Sequence, residues 1–144
     1  MSDLVLIDGD LALFMPVFGA AIVVVQTGRL RGSGPATVGG KKICVDGDET
    51  SVSVPGCTYM TPQYSIPGVG TLKIQQLAAN QKAQHSQTGG KPVLLKGAMF
   101  TARFEVQVPA MQPPPGPGAP IPDGSPSYSG QGQFQSTNIK ARAT

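Results

Sequence analysis

Few residues in this chain are of a type that could do chemistry. Its 144 residues include two cysteines, Cys44 and Cys57, and one histidine, His85. Thiolate and imidazole groups are ligands of tetrahedral zinc, so these three side chains are candidate ligands for a zinc site. Their spacing contains no Cys-x-x-Cys pair, and the two cysteines could instead form a disulfide or be small buried thiols. Zinc is therefore a candidate cofactor, and buried free thiols are the simpler interpretation.

Hydrolytic catalysis has little support in the sequence. His85 is the only available imidazole base, and no nucleophile-elbow motif is present to partner it in a Ser–His–Asp or Cys–His arrangement. A metallohydrolase would need His85 as a metal ligand and remains a third hypothesis. We predict that the protein is not an enzyme.

Two acidic stretches, Asp8-Gly9-Asp10 and Asp46-Gly47-Asp48-Glu49, contain fragments of a calcium-loop pattern. The full EF-hand loop needs alternating oxygen ligands and a Glu at its twelfth position, which neither stretch supplies. Asp-Gly between apolar runs is also a strong signal for a β-hairpin turn of type I′. We therefore predict two hairpin turns here.

The same pattern occurs three times along the chain, near residues 3–14, 41–54 and 91–106. The second and third copies share a Gly-Gly-Lys prefix, which the first lacks. Alternation along a strand places every second residue on one face. With the turn glycines aligned, three sets of residues become equivalent: Val5, Ile43 and Val93; Leu6, Cys44 and Leu94; and Ile7, Val45 and Leu95.

The composition predicts a turn-rich all-β protein. The chain has 19 Gly and 14 Pro, yet 40% of its residues are hydrophobic, which separates it from disordered chains. Charged residues make up 13%, with a net charge of +3, and Trp is absent. The sequence has no cluster of cations with interleaved aromatics, so it does not predict a surface that binds nucleic acid.

The apolar run Leu11–Val25 is interrupted by Pro16 and Gly19 and is shorter than a membrane-spanning helix. Acidic residues precede it, whereas a signal peptide begins with a basic region. We predict two buried strands around a turn. The chain is accordingly expected to be made in the cytoplasm and exported only by a dedicated machine.

From Pro109 the chain becomes rich in Pro and Gly, which favours an extended polyproline path that cannot join the middle of a sheet. We predict a β domain over residues 1–110 and an extended tail over 111–144 that packs on this domain or on a partner. Pro113–Pro120 is interpreted as a rigid strap, with a ligand for a proline-recognition domain as the alternative. Lys140 and Arg142 are expected to be solvated.

Three equivalent hairpins in one chain predict a small cone or prism with pseudo-threefold symmetry. The end of a trimeric β-structure exposes unpaired strand edges that must be covered, and one such chain could cover three edges at once. The candidate interface strands follow each turn, over Asp10–Leu13, Asp48–Ser51 and Ala98–Thr101. Within them the interface candidates are Asp10, Leu11, Asp48, Glu49, Ala98 and Met99.

Several phrases of the sequence resemble the PAAR-like spike-tip proteins of bacterial contractile injection systems, which include type VI secretion and extracellular phage-tail-like particles. They are "GSGPATVGGKKICVDGDETSVSVPGC", "IPGVGTLKI" and "GGKPVLLKGAMFTARFEVQVPAMQPPPGPG", and the resemblance runs from about Leu4 to Gly118. It implies a β cone, one copy per particle, that caps a trimeric VgrG-like spike and sharpens it for piercing a target envelope. It also implies transient contact with a membrane and delivery or release outside the producing cell.

The chain departs from this family pattern in two ways. The literal Pro-Ala-Ala-Arg motif is absent, and well-known members bind zinc near the apex through several histidines and one cysteine, whereas this chain has a single histidine. The alternative function is a free-standing β module that binds glycans, which would need an exposed aromatic cluster. The candidate aromatics are scattered along the sequence: Tyr59, Tyr64, Tyr128 and Phe134.

Overall fold

We describe residues 3–114, 116–136, 138 and 141–143 of the protein in a computed structural model. The regular secondary structure of the described residues is almost entirely β-strand, which confirms the all-β prediction, with two short 3-10 turns at Asp48–Ser51 and Ala79–Gln81. The strands are β1 (Asp3–Leu4), β2 (Leu11–Phe14), β3 (Val17–Phe18), β4 (Ala21–Val23), β5 (Gly28–Arg29), β6 (Thr37–Val38), β7 (Lys41–Lys42), β8 (Ser53–Met60), β9 (Gly68–Gln76), β10 (Lys82–Thr88), β11 (Lys91–Leu94), β12 (Phe100–Val108), β13 (Met111–Gln112), β14 (Ile121–Pro122), β15 (Ser127–Gln135) and β16 (Arg142–Ala143).

Eight strands form one curled antiparallel sheet in the order β3-β4-β8-β9-β12-β15-β2-β5. Its inner face is built by alternation, as in β12, where Phe100, Ala102 and Phe104 are buried and the residues between them are more exposed. Aromatic rings fill the interior: Phe14 packs edge-on against Phe100 with ring centroids 5.5 Å apart. Further rings in the same core are Phe18, Tyr59, Phe104 and Phe134.

The other part of the molecule, which we call the prism, consists of three two-stranded antiparallel sheets: β1 with β16, β6 with β7, and β10 with β11. β1 and β7 lead directly into the repeated segments 5–7 and 43–45, and β11 runs into the third, 93–95. The predicted pseudo-threefold arrangement of short strand pairs is therefore present at one end of the fold. A second small hydrophobic core, made by Val5, Ala83, Val93 and Leu95, lies within it.

The turns of the three copies differ from the prediction. The N–H of Asp10 donates to Ile7 O at 3.0 Å and that of Asp48 to Val45 O at 2.9 Å, so two tight turns are present. A type I′ turn needs positive φ at both central residues, and among the described residues only glycines have positive φ. The two arms of each copy do not pair with each other: β2 pairs with β15 and β5, for example.

The type I′ geometry lies instead at the Gly-Gly prefixes. Gly39 and Gly40, with φ of 56° and 82°, join β6 to β7, and Gly89 and Gly90, with φ of 61° and 78°, join β10 to β11. Because glycine has no Cβ, two successive positive φ values carry no steric cost there. The prefix that marks the second and third copies is thus the hairpin turn itself.

The tail does not stay outside the sheet. β15 lies between β12 and β2, hydrogen-bonded to both, and it contains no proline. The proline-rich stretch that precedes it contributes only the short strands β13 and β14 among its described residues, and these two pair with each other. The prolines of the tail therefore stay outside the eight-stranded sheet, as predicted. The prediction of an extended tail was wrong for the residues of β15, which join that sheet. Lys140, expected to be solvated, lies outside the described residues, whereas Arg142 is exposed in β16.

One further stretch differs from the sequence prediction. The run Leu11–Val25 forms three strands, and one face of β3 and β4 is exposed, with Val17 and Ile22 more than half accessible. These strands are therefore buried on one face only.

Candidate functional site

The repeated segments meet in a closed ring at the centre of the prism. The N–H of Leu6 donates to Leu94 O at 3.0 Å, that of Cys44 to Leu6 O at 2.9 Å, and that of Leu94 to Cys44 O at 2.9 Å. Three isolated β-bridges surround these bonds: Val5 with Leu95, Ile7 with Ile43, and Val45 with Val93. The bridges join the first residue of each segment to the last residue of another, which is the pattern of a threefold axis.

A second cycle of hydrogen bonds follows the same symmetry one step further along each copy. The N–H groups of Asp8, Asp46 and Lys96 donate to the carbonyls of Lys42, Pro92 and Leu4, at 2.8, 2.9 and 2.9 Å. Each turn is thus tied to the strand that precedes a different ring segment. The backbone repeats the threefold pattern over at least four residues per copy, although the side chains differ.

The acidic residues of the turns hold this backbone in place. An Oδ2 of Asp10 accepts the N–H of Ile7, and an Oδ2 of Asp48 accepts that of Val45, both at 2.8 Å. In the third copy Ala98 has no carboxylate, and the equivalent N–H of Leu95 donates to Gln81 O at 2.9 Å. These carboxylates therefore satisfy main-chain donors within the prism. This agrees with their interpretation as turn residues and not as calcium ligands.

The C-terminal residues complete the first copy. β16 pairs with β1 in the position that β6 and β10 hold beside β7 and β11. The Nδ2 of the buried Asn138 donates to Val5 O at 3.0 Å and to Ala141 O at 2.8 Å. The hydroxyl of Ser136 donates to Asp10 Oδ2 at 2.8 Å. This role could not be predicted from the sequence, because Val5 and Asp10 are more than a hundred residues from Asn138 and Ser136.

The candidate zinc ligands are not brought together. Cys44 lies fully buried in the ring, Cys57 is buried in β8 facing the main core, and His85 is exposed on β10. No group of three potential ligands that could hold a metal occurs among the described residues. Burial raises the pKa of both thiols, and for Cys44 the nearby carboxylates of Asp48, Asp10 and Asp8 raise it further. Both cysteines are free thiols.

The six interface candidates fall in different environments. Asp10 is fully buried, and Leu11 lies in β2, which has strands on both sides, so neither offers a free strand edge. Asp48 and Glu49 begin a 3-10 turn, and Glu49 accepts the N–H of Gly47 at 2.7 Å. The remaining two candidates, Ala98 and Met99, are exposed and half-buried.

Outside the prism, one surface of the molecule is built from segments without charged residues. No charged residue occurs in the sequence ranges 11–28, 54–72 and 106–122. Cross-strand pairs place parts of these ranges side by side: Val17 with Ile22, Ile22 with Met60, and Val69 with Val108. We call this surface the apolar end. Its large exposed side chains are between 39% and 62% accessible: Val17, Ile22, Val24, Met60, Val108 and Ile121.

Asp123, a buried carboxylate, ties the loops of the apolar end together. Its Oδ2 accepts the hydroxyls of Tyr59 at 3.0 Å and Tyr128 at 2.6 Å, and its Oδ1 accepts the N–H of Ser125 at 2.9 Å. Burial alone would raise the pKa of Asp123, but these hydrogen bonds outweigh it and hold the pKa below its ordinary value. Burial likewise raises the pKa of Tyr59 to about 12. The network is structural, because every member is committed to a partner in the fold.

The aromatic residues considered for glycan binding belong to the interior. Tyr59 and Phe134 are buried, and Tyr64 and Tyr128 pack against the same core. Tyr64 and Tyr128 are half-buried and line a surface pocket, so the four residues do not form one exposed aromatic cluster. No helix in the described part of the chain has the length and apolar character needed to cross a bilayer.

The fold and its closed ring define a small all-β protein with internal threefold symmetry at one end. A family model described as contractile injection system spike tip protein matches residues 1–144. The chain belongs to this family, and the resemblance stated from the sequence is confirmed. Members are structural components of the injection apparatus, associated with its spike and baseplate. A search of curated proteins found no match.

Proposed function

We propose that this protein caps a trimeric, VgrG-like spike as a single copy and acts without catalysis as the leading point of the particle. The observation that carries the proposal is the closed ring formed by Leu6, Cys44 and Leu94, with one hydrogen bond from each to the next. A monomer whose backbone repeats three times around an axis can meet a true trimer with three equivalent contacts. This match of symmetry supports a stoichiometry of one copy per trimer.

The prism is the end that we assign to the spike. A trimeric β-structure ends in three unpaired edges, and the three two-stranded sheets of the prism are arranged with the same symmetry around the ring. Each sheet can cover one edge of the spike. The finer identification of the partner as VgrG-like comes from the family resemblance.

The apolar end then points away from the spike and meets the target envelope first. A charged side chain is costly to move into the hydrocarbon of a bilayer, and this end presents Val, Ile and Met without exposed charges. The proposal includes synthesis in the bacterial cytoplasm and release on the assembled particle. It includes no bound metal.

Native mass spectrometry of the chain co-expressed with its spike protein tests the stoichiometry. We expect one copy of the chain per spike trimer. Failure to form a complex, or three copies per trimer, would overturn the proposal.

Hydrogen exchange on the same complex tests the orientation. We expect amides of β1, β7 and β11 to gain protection on binding, while those of β3 and β4 exchange as in the free protein. Protection confined to β3 and β4 would reverse the assignment of the two ends.

A further inference from the structure

A groove with cationic walls runs along the side of the molecule, next to the prism. One wall is the extended segment 26–32, which contains β5, and the other is 40–42 at the start of β7. Residues 51 and 53–55, together with Asp8 and Gly9, complete the lining. Its volume is about 1090 Å³, at the upper end of the range for ligand-binding clefts. We call it the basic groove.

Four exposed cations line this groove: Arg29, Arg31, Lys41 and Lys42. Asp8 is its only acidic lining residue, and an Oδ1 of this side chain accepts the N–H of Gly32 at 2.9 Å. The two salt bridges of the described residues, Lys73–Glu105 and Lys82–Asp46, lie elsewhere. The groove therefore carries positive charge that the described part of the chain does not neutralise.

The same wall includes a short strand edge that is open at Arg29, whereas the N–H of Arg31 donates to Ser51 Oγ at 3.1 Å. β5 is the last strand of the eight-stranded sheet, paired only with β2. The N–H of Leu30 donates to Asp10 O, and Leu30 O accepts the N–H of Gly9, both at 2.9 Å, so the polar groups of Leu30 face the side of β2. Successive residues of an antiparallel strand alternate in this respect, so the N–H and C=O of Arg29 face the groove.

We propose that the basic groove binds an acidic, extended segment of another protein by adding it as a strand beside β5. Main-chain bonds to Arg29 would fix the direction and register of the segment. Arg29 and Arg31 project on the same side about 7 Å apart, which matches carboxylates on alternate residues of an extended chain. Lys41 and Lys42 face these groups from the other wall.

A peptide fits this groove better than a nucleic acid. No aromatic residue lines the groove, so bases would find no stacking surface. A free edge with main-chain groups is of use to a polypeptide backbone, whereas phosphates need only the cations. This binding site lies beyond the capping role and needs no spike for its test.

The test is fluorescence anisotropy of the full chain with a labelled peptide of alternating Glu and Thr. We expect binding that weakens with added salt. In the double variant Arg29→Glu with Arg31→Glu, the affinity should fall by about tenfold or more. The matched control changes the same charge outside the groove, Lys91→Glu with Lys96→Glu, and should keep the affinity within about twofold. An equal loss in the two variants would show a general charge effect and overturn the site.

Strand addition has its own control. The same peptide N-methylated on alternate amides keeps its charges but loses main-chain donors. We expect its affinity to be lower by about tenfold or more. Equal binding of the methylated peptide would overturn the strand mode. Tighter binding of single-stranded DNA or of phosphatidylglycerol vesicles through Arg29 and Arg31 would overturn the peptide assignment.

Discussion

Cys44 stands where the other two copies have leucine. Leu6, Cys44 and Leu94 are all fully buried and hydrogen-bonded in one cycle. Their equivalence was predicted from the alignment on the turn glycines, and the structure confirms it. A cysteine at this position behaves as a small hydrophobic residue, and the family-derived hypothesis of a metal ligand finds no partner beside it among the described residues.

Both thiols should be unreactive in the folded protein. Burial raises the pKa of Cys44 and of Cys57, so neither supplies the thiolate that attacks a disulfide reagent. With Ellman's reagent at pH 8, we expect no release over the time in which free cysteine reacts fully. Two thiols per chain should then react in guanidinium chloride. Rapid reaction of the native protein, or fewer than two thiols after unfolding, would contradict this assignment.

Asp123→Asn should destabilise the protein by about 1–3 kcal/mol at pH 7, because the phenols of Tyr59 and Tyr128 lose a charged acceptor. The folded-state pKa of Asp123 is below its ordinary value of 3.8. Its stabilisation is therefore complete above that value and is lost as the pH falls through the lower folded-state pKa. The difference in the free energy of unfolding between wild type and variant should therefore decrease over that pH range. Urea unfolding followed by tyrosine fluorescence measures it.

Asp46→Asn is the control for this experiment. Asp46 is a surface partner of Lys82, and such pairs contribute little. Its effect should stay within about 0.5 kcal/mol at pH 7. A gap for Asp123→Asn that stays constant below pH 4 would contradict the role of the charge.

The Asp123 network could not be predicted from the sequence, because Tyr59 and Asp123 are 64 residues apart.

Among the elements, the two Gly-Gly turns set the hairpins of the prism. Gly90 has φ of 78°, and nothing lies within 4 Å of the position of an added Cβ, so only the backbone conformation resists a side chain. We expect Gly90→Ala to cost about 1–2 kcal/mol, measured by chemical unfolding.

Gly124→Ala is the matched control for that substitution. Gly124 has the same open surroundings and no φ in the left-handed region, so its stability should change by no more than about 0.5 kcal/mol. Equal effects of the two substitutions would show that the φ of Gly90 carries no cost.

Strand prediction succeeded where side chains alternate and failed where glycine replaces them. β12 shows clear alternation, and its strand was predicted within the third copy. In β15, Gly130 and Gly132 stand where Cβ atoms would lie 2.7 Å from Phe18 and 2.5 Å from Phe100. The aromatic rings of neighbouring strands fill that space. Between Tyr128 and Phe134 the strand consists only of Ser, Gly and Gln, which show no apolar period, so this central strand could not be recognised locally.

At the scale of the whole molecule, the charged prism and the apolar end should act independently. We expect Ile22→Asp with Val24→Asp to leave the fold and the one-to-three complex with the spike unchanged, because both side chains are more than half exposed and lie outside the strands of the prism. Thermal unfolding and native mass spectrometry measure the two effects. Particles carrying this variant should assemble normally but puncture target envelopes less efficiently.

Loss of the spike complex in this double variant would contradict the assigned orientation.

The general outline of the molecule was predictable from the repeats, since three similar segments imply a threefold end. The eight-stranded sheet was not, because its order joins strands that are distant in sequence, such as β15 and β2.

The pairing of β1 with β16 has a consequence for the order of folding. β1 holds residues 3–4 and its partner holds 142–143, and β2 likewise waits for β15. Contacts of such sequence separation form slowly, because nearly the whole chain must be ordered before they stabilise it. During synthesis, the first ring segment therefore leaves the ribosome long before its partner strand exists. We expect the nascent chain to remain open, with its apolar strands unprotected, until β15 and β16 have been synthesised.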